Sequence, residues 1–157
     1  MNINERKNWI RLLMAVDTKR VKQLAQQITT GWDLRYKSLP QSGLGMLKLR
    51  DGALQEPFYL GEIPVASAWV ELTLANGDKA EGAAQVMDDD KDLAEALAVC
   101  DAVLANQLVG HDLLTSLLQQ GADKLAAEQR NRKQMLKRTH VDFSLLGAEE
   151  GEDDEQN

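Results

Sequence analysis

The chain has a single cysteine, Cys100, and only two histidines, His111 and His140, among its 157 residues. One thiol excludes an internal disulfide, and a cysteine inside a helical apolar pattern reads as a small core residue. A reducing cytoplasm is the expected setting. A thiol among leucines is also desolvated and poorly activated, which argues against a nucleophile. The two histidines stand far apart, and neither belongs to a His-x-x-x-His or Cys-x-x-Cys spacing that would hold zinc. Uninterrupted apolar runs of the roughly 18 residues needed for a membrane span are absent. The opening MNINERKNWIRLLMAVD mixes charges among its apolar residues, so neither secretion nor membrane insertion is expected. Gly43-Leu44-Gly45 has no third glycine and no following Lys-Ser/Thr, so it is read as a tight strand entry rather than a phosphate cradle.

Charge of one sign is also scarcer than the total suggests. The net charge is −7, but the last eleven residues, GAEEGEDDEQN, hold six acids and no base, which leaves 19 acids against 18 bases elsewhere. The acidity belongs to the tail, and nucleic-acid binding by bulk charge is not expected. Arg130, Arg132, Lys133, Lys137 and Arg138 form a late basic run with only Glu128 to offset them. Such a run is either a solvated face or a surface that meets an acidic partner or an anionic ligand, and the lack of an aromatic residue to stack on bases argues against single-stranded nucleic acid.

What remains is ordinary globular material, 43% hydrophobic and 27% charged, in a length suited to one core. Trp9, Ile10, Leu13, Val16, Leu24 and Ile28 recur at helical spacing, with an interruption near Asp17 and Thr18 and a stop at Gly31. This predicts one bent helix or two short ones. Strand-like stretches follow at 32–39, 43–49, 57–63 and 70–74; Asn76-Gly77 then signals a hairpin into a strand from Lys79 to Met87. A meander of about four antiparallel strands is expected. Leu93, Leu97, Cys100, Leu104 and Leu108 mark a helix after Asp88-Asp89-Asp90, whose acids are read as helix caps rather than a metal site. A last helix starts near His111 or Asp112 and becomes polar and basic. The fold class is therefore α+β, an antiparallel sheet packed with N-terminal and C-terminal helices. Residues 1–146 are expected to form one domain, with 147–157 an acidic disordered tail.

Several segments occur in an order that resembles the PhnG family, small subunits of the bacterial carbon–phosphorus lyase core complex. They are Glu5-Arg6-Lys7-Asn8-Trp9, GLGMLKLRDG, FYLGEIPVASAWVEL, DKDLAEALAVCDAVL and THVDF, and the resemblance runs from about residue 5 to 143. Family members usually carry Thr-Arg-Val-Asp-Phe-Phe-Thr near the end, where this chain has Thr139-His140-Val141-Asp142-Phe143-Ser144-Leu145. They usually carry Gly-Arg-Asp where this chain has Asp88-Asp89-Asp90, so two cations of the family pattern are missing.

The resemblance implies assembly with the other core subunits into a two-fold hetero-oligomer, helped by an ABC-type ATPase subunit. That complex replaces the adenine of MgATP by methylphosphonate, with a larger nucleosidase-like subunit as the catalyst and carbon–phosphorus cleavage left to an iron–sulfur subunit. On this basis the chain is expected to be a cytoplasmic subunit with no catalytic residue, no bound cofactor and no metal, and without nucleic-acid or membrane partners. Asn8, Trp9, Arg130, Arg132, Lys133, Val141, Asp142 and Phe143 are the expected interface positions. The alternative is a stand-alone module that holds an anionic ligand or acidic protein on the basic late helix. An independent enzyme would need titratable side chains converging in a pocket, and no such set is evident.

Overall fold

The computed structural model describes residues 2–138. The elements are α1 (Arg6–Met14), α2 (Thr18–Ile28), β1 (Asp33–Arg50), β2 (Pro57–Thr73), β3 (Lys79–Val86), α3 (Lys91–Ala105) and α4 (His111–Arg138). Contacts divide the chain into a unit of residues Met1–Leu125 and a second that begins at Ala126. The expected boundary at residue 146 and the acidic tail lie outside the described residues.

The first helical stretch is two helices, because Asp17 takes an extended conformation and its side chain accepts the Lys19 N–H at 3.0 Å, starting α2 afresh. The sheet has three strands in the order β1-β2-β3, all antiparallel. The α+β class agrees with the sequence, but the strand count is lower than about four. Apart from Trp32 and Leu74 at their ends, the stretches 32–39 and 43–49 belong to one strand, as do 57–63 and 70–74. Irregularities in register at Tyr36/Ser38 and Ser38/Gln41 absorb Pro40, so β1 passes the proline without ending.

The hairpin between β2 and β3 is also longer than a two-residue Asn-Gly turn. Leu74 N–H donates to Asp78 O at 2.9 Å and Gly77 N–H to Leu74 O at 2.9 Å, and only Gly77 of the pair has positive φ, at 86°. Asn76 spends its amide on Asp78, accepting the Asp78 N–H at 3.0 Å and donating to its carboxylate at 2.7 Å. This is the three-residue loop in which a left-handed glycine closes the turn.

The core forms around α3. Leu93, Ala94 and every residue from Ala96 to Leu104 are buried, so this helix has hardly any solvent face. Asp90 caps it, accepting the Leu93 N–H at 3.0 Å, while Asp88 accepts the Asp90 N–H at 3.0 Å. The aspartate triplet thus behaves as a helix start. On one side α3 meets Ala66, Ala68, Val70 and Leu72 of β2 with Ala84 and Val86 of β3. Val21 and Ala25 of α2, Leu12 and Leu13 of α1, and Leu114, Leu117 and Leu118 of α4 complete the cluster. The approach to β3 is close enough that a Cβ on Gly82 would lie 2.2 Å from the Ala98 carbonyl oxygen. Glycine is required there because the helix backbone occupies the place of a side chain.

Candidate functional site

No group of three or more His, Cys, Asp or Glu side chains able to hold a metal occurs among the described residues. Cys100 is buried, and desolvation pushes its thiol up to about 12, so it is protonated and inert at neutral pH. A groove of about 280 Å³ between α2 and α3 gathers Lys22, Thr29, Asp92 and Glu95. Lys22 is already tied to Asp90, and that ammonium holds the Asp90 carboxyl below its usual range. The Tyr36 hydroxyl is raised by burial first and then by Glu95 and Asp92, so it stays protonated. The groove pairs no nucleophile with a base.

Two buried carboxylates hold structure rather than perform chemistry. Asp101, 4% exposed, receives the Arg6 guanidinium through two bonds of 2.9 and 2.7 Å and the Ala83 N–H at 3.0 Å. A residue of α3 thereby closes the free edge of β3 and pins α1 to it, and the paired Arg6 is raised above its ordinary value. Glu71, 8% exposed on the other face of β2, sits between Lys79 at 3.0 Å and Lys37 at 3.1 Å. Hydrogen bonds from Lys79 and then Lys37 lower its pKa.

The accessible chemistry lies instead on an apolar arm. β3 pairs with β2 only from Ala66 to Thr73, so from Gly43 to Arg50 and from Pro57 to Val65 the ribbon has two strands and, among the described residues, no further strand on its outer edges. Directly opposed residues share a face. Leu44 and Met46 stand with Tyr59 on one face, and Leu47 and Leu49 with Phe58 on the other. Together with Leu60 in the bulge and Leu54 at the tip, these side chains are 37% to 74% exposed. A soluble protein rarely leaves both faces of a ribbon apolar and open, and a two-stranded ribbon is marginal in water without a partner.

The arm is nonetheless well formed. At its tip Asp51 N–H donates to Glu56 O at 2.9 Å, and the Asp51 carboxylate accepts the Leu54 N–H at 2.8 Å, which lowers its pKa. Along its length Lys48 lies over the Tyr59 ring, 5.8 Å from the centroid.

The expected interface residues are not part of this arm. Asn8 and Trp9 fasten the start of the chain, donating from Nδ2 to Asn2 O and from Nε1 to Ile3 O, each at 2.8 Å. Trp9 also packs against the core. Arg130, Arg132 and Lys133 are exposed on the part of α4 that belongs to the second unit. Arg130, Lys133 and Lys137 fall on one helical face by their three- and four-residue spacing, while Arg132 points elsewhere. Val141, Asp142 and Phe143 lie outside the described residues. The apolar side chains of the arm are not among the expected interface positions; they lie in two successive apolar stretches, GLGMLKLR and PFYLGEIPV, that the sequence marks only as strands.

The described residues thus form a small α+β protein whose most exposed apolar surface is a preformed two-stranded arm. The chain matches the family described as Phosphonate metabolism protein PhnG over residues 4–147 and belongs to that family. It is 34% identical over 108 residues to the alpha-D-ribose 1-methylphosphonate 5-triphosphate synthase subunit PhnG of Rhizobium meliloti (strain 1021), an alignment covering 68% of this chain. The matched part spans 65% of that relative, a little under two thirds of its length. Among the described residues no helix is long and apolar enough to cross a membrane.

Proposed function

We infer that the chain is a non-catalytic subunit of a phosphonate-processing core complex. Within that complex it supports transfer of the ribose triphosphate of ATP to methylphosphonate, with release of adenine. The observation that carries this reading is the β1–β2 arm, whose apolar side chains are exposed on both faces while its backbone is fully formed. Family membership and the name of the Rhizobium meliloti relative supply the chemical context.

In this reading the partners are the other carbon–phosphorus lyase core subunits and an ABC-type ATPase subunit, in the cytoplasm. MgATP is a substrate of the assembled complex, and this chain holds no cofactor of its own. A phosphonate oxygen attacks the anomeric carbon of the nucleotide as adenine leaves, and the groups that activate these atoms belong to another subunit. The contribution of this chain is to hold that subunit in its assembled form.

Co-expression with the other core subunits tests the reading. One stable co-purifying particle is expected, with the lone chain self-associating or poorly soluble, and adenine release on addition of methylphosphonate depending on the chain. A well-behaved monomer that fails to co-purify under gentle conditions refutes it. Exposure of Arg130, Lys133 and Lys137 along one helical face favours a second reading, a stand-alone module for an anionic ligand or acidic protein. That reading requires a monomer whose ligand binding disappears when Arg130, Arg132 and Lys133 are made neutral.

A further inference from the structure

The two free edges of the arm are not equivalent. Pro64 pairs with Leu44 and Pro57 with Arg50. A proline has no N–H to give to the ladder, so it is accommodated where β2 turns its amide nitrogen away from β1, toward its own outer edge. At such a position of an antiparallel pair the opposing residue also turns its N–H and C=O away. Leu44 and Arg50 therefore direct these groups to the far side of β1. Alternation carries Met46 to the same edge and, across the irregularity between Leu47 and Lys48, Lys48 as well.

The outer edge of β2 thus lacks the donors of Pro57 and Pro64 and is bent by the bulge at Leu60, which are two common ways of blunting an edge. The outer edge of β1 keeps all four donors, at Leu44, Met46, Lys48 and Arg50. The only ionisable side chains from Gly43 to Arg50 are the cations Lys48 and Arg50.

We propose that the outer edge of β1 from Leu44 to Arg50 takes up an extended segment of another subunit as an added strand. In that segment apolar side chains alternate with acids set opposite Lys48 and Arg50. Main-chain bonds to the four open amides provide affinity, and the exposed leucines, Met46 and Phe58 on the two faces of the arm select the side chains that flank them. The bonded tip at Asp51 keeps the edge extended before the partner arrives, which lowers the ordering cost of binding. A second copy of this chain is the poorer occupant, because the same edge would meet Lys48 and Arg50 with cations and offer no acid in return. The inference rests on the subunit reading, which could hold with the arm engaged by its faces alone.

Hydrogen exchange at single-residue resolution separates these cases, with the full chain measured alone and within the particle co-expressed with the other core subunits. In the lone chain, Gly45, Leu47 and Leu49, bonded to β2, should exchange slowly, and Leu44, Met46, Lys48 and Arg50 rapidly. In the particle the latter four should slow by at least about tenfold, the scale of one main-chain bond gained. Met46→Pro removes one outward donor and leaves the ladder to β2 intact. It should weaken assembly by about tenfold or more while the lone chain unfolds at the wild-type urea midpoint.

A particle that forms while these four amides stay fast overturns the added strand and leaves the subunit reading standing. Protection of the four in a self-associated lone chain overturns it in favour of a second copy. Failure of the wild-type chain to join any particle overturns both. Lys48→Glu with Arg50→Glu gives an independent check: slower association with the particle is expected, and an unchanged or faster rate contradicts the acidic partner.

Discussion

Between Ala66 and Thr73, β2 lies between β1 and β3 against α3, and Ala66, Ala68, Val70 and Leu72 are buried. Between Pro57 and Val65 the same strand has only β1 beside it, and none of its residues is buried. The residue sizes run opposite to the usual association of bulk with burial. Beneath α3 the sheet carries Ala66, Ala68, Ala80, Gly82 and Ala84, whereas the open arm carries leucines, Met46, Phe58 and Tyr59. Small residues in the body let the α3 backbone come close, so the helix itself fills the space. Large residues on the arm have no such cover within the described residues, and in the proposed subunit reading their bulk is left for a surface that another molecule supplies.

Substituting glycines of the same sheet should expose this contrast most strongly. Gly82→Val places a side chain against the Ala98 carbonyl and the Ala102 backbone nitrogen, and backbone cannot rotate aside. A loss of about 3 kcal/mol or more is expected in urea unfolding. Gly43→Val meets nothing within 4 Å and should change stability by less than about 0.5 kcal/mol. Equal effects of the two would break the distinction between body and arm.

Next in size is Asp101→Ala. It strands the Ala83 N–H at a covered edge and frees Arg6, which can turn to solvent, so about 2 kcal/mol of destabilisation is expected, most of it from the orphaned amide. Asp101→Asn keeps an acceptor for Ala83 and should recover part of that loss. If alanine and asparagine behave alike, the edge closure contributes nothing and the guanidinium carries the whole effect. Replacing Leu44, Met46, Leu47 and Leu49 together by serine should move the thermal midpoint of the lone chain by only a few degrees, yet abolish co-purification with the other core subunits. A stability loss comparable to that of Gly82→Val would show that the arm is packed within the monomer.

The body was legible because its signals are local and periodic. The Leu93-to-Leu104 spacing gave α3, and the aspartates ahead of it behaved as caps, with Asp90 on Leu93 N–H. What escaped depends on pairing over long separations. Nothing near Arg6 in the chain announces Asp101, 95 residues away. Pro40 is absorbed by irregular register and Pro64 by facing an unpaired edge, so the stretches expected at 32–39, 43–49, 57–63 and 70–74 fall in two long strands. The arm was hard to single out for a related reason. Exposed cations on α4 are visible in composition, whereas the arm reads as ordinary strand until the short reach of β3 leaves it uncovered.

The smallest expected effect concerns acid, and it tests whether the polar contacts of the body matter at all. Asp90 is lowered from an ordinary 3.8, first by Lys22, and Glu71 from an ordinary 4.5, first by Lys79. A lowered folded value means that, as pH falls, the unfolded chain takes up protons before the folded one does. Stability therefore rises with pH across that interval, is fully present above the ordinary carboxylate values, and is lost as pH falls from about 4.5 toward the folded values. Glu71 is flanked by two cations at the surface, so water and salt weaken its share. Urea midpoints measured from pH 6 to pH 3 should decline, and Lys22→Met should flatten the part due to Asp90 while leaving that of Glu71. The arm supplies a reference: its Asp51 is lowered by the N–H groups of its own turn, chiefly that of Leu54, so Asp51→Asn should alter the acid limb without changing its response to Lys22→Met. A change in that response would mean that the arm and the body share one electrostatic network, despite the separate packing of their side chains.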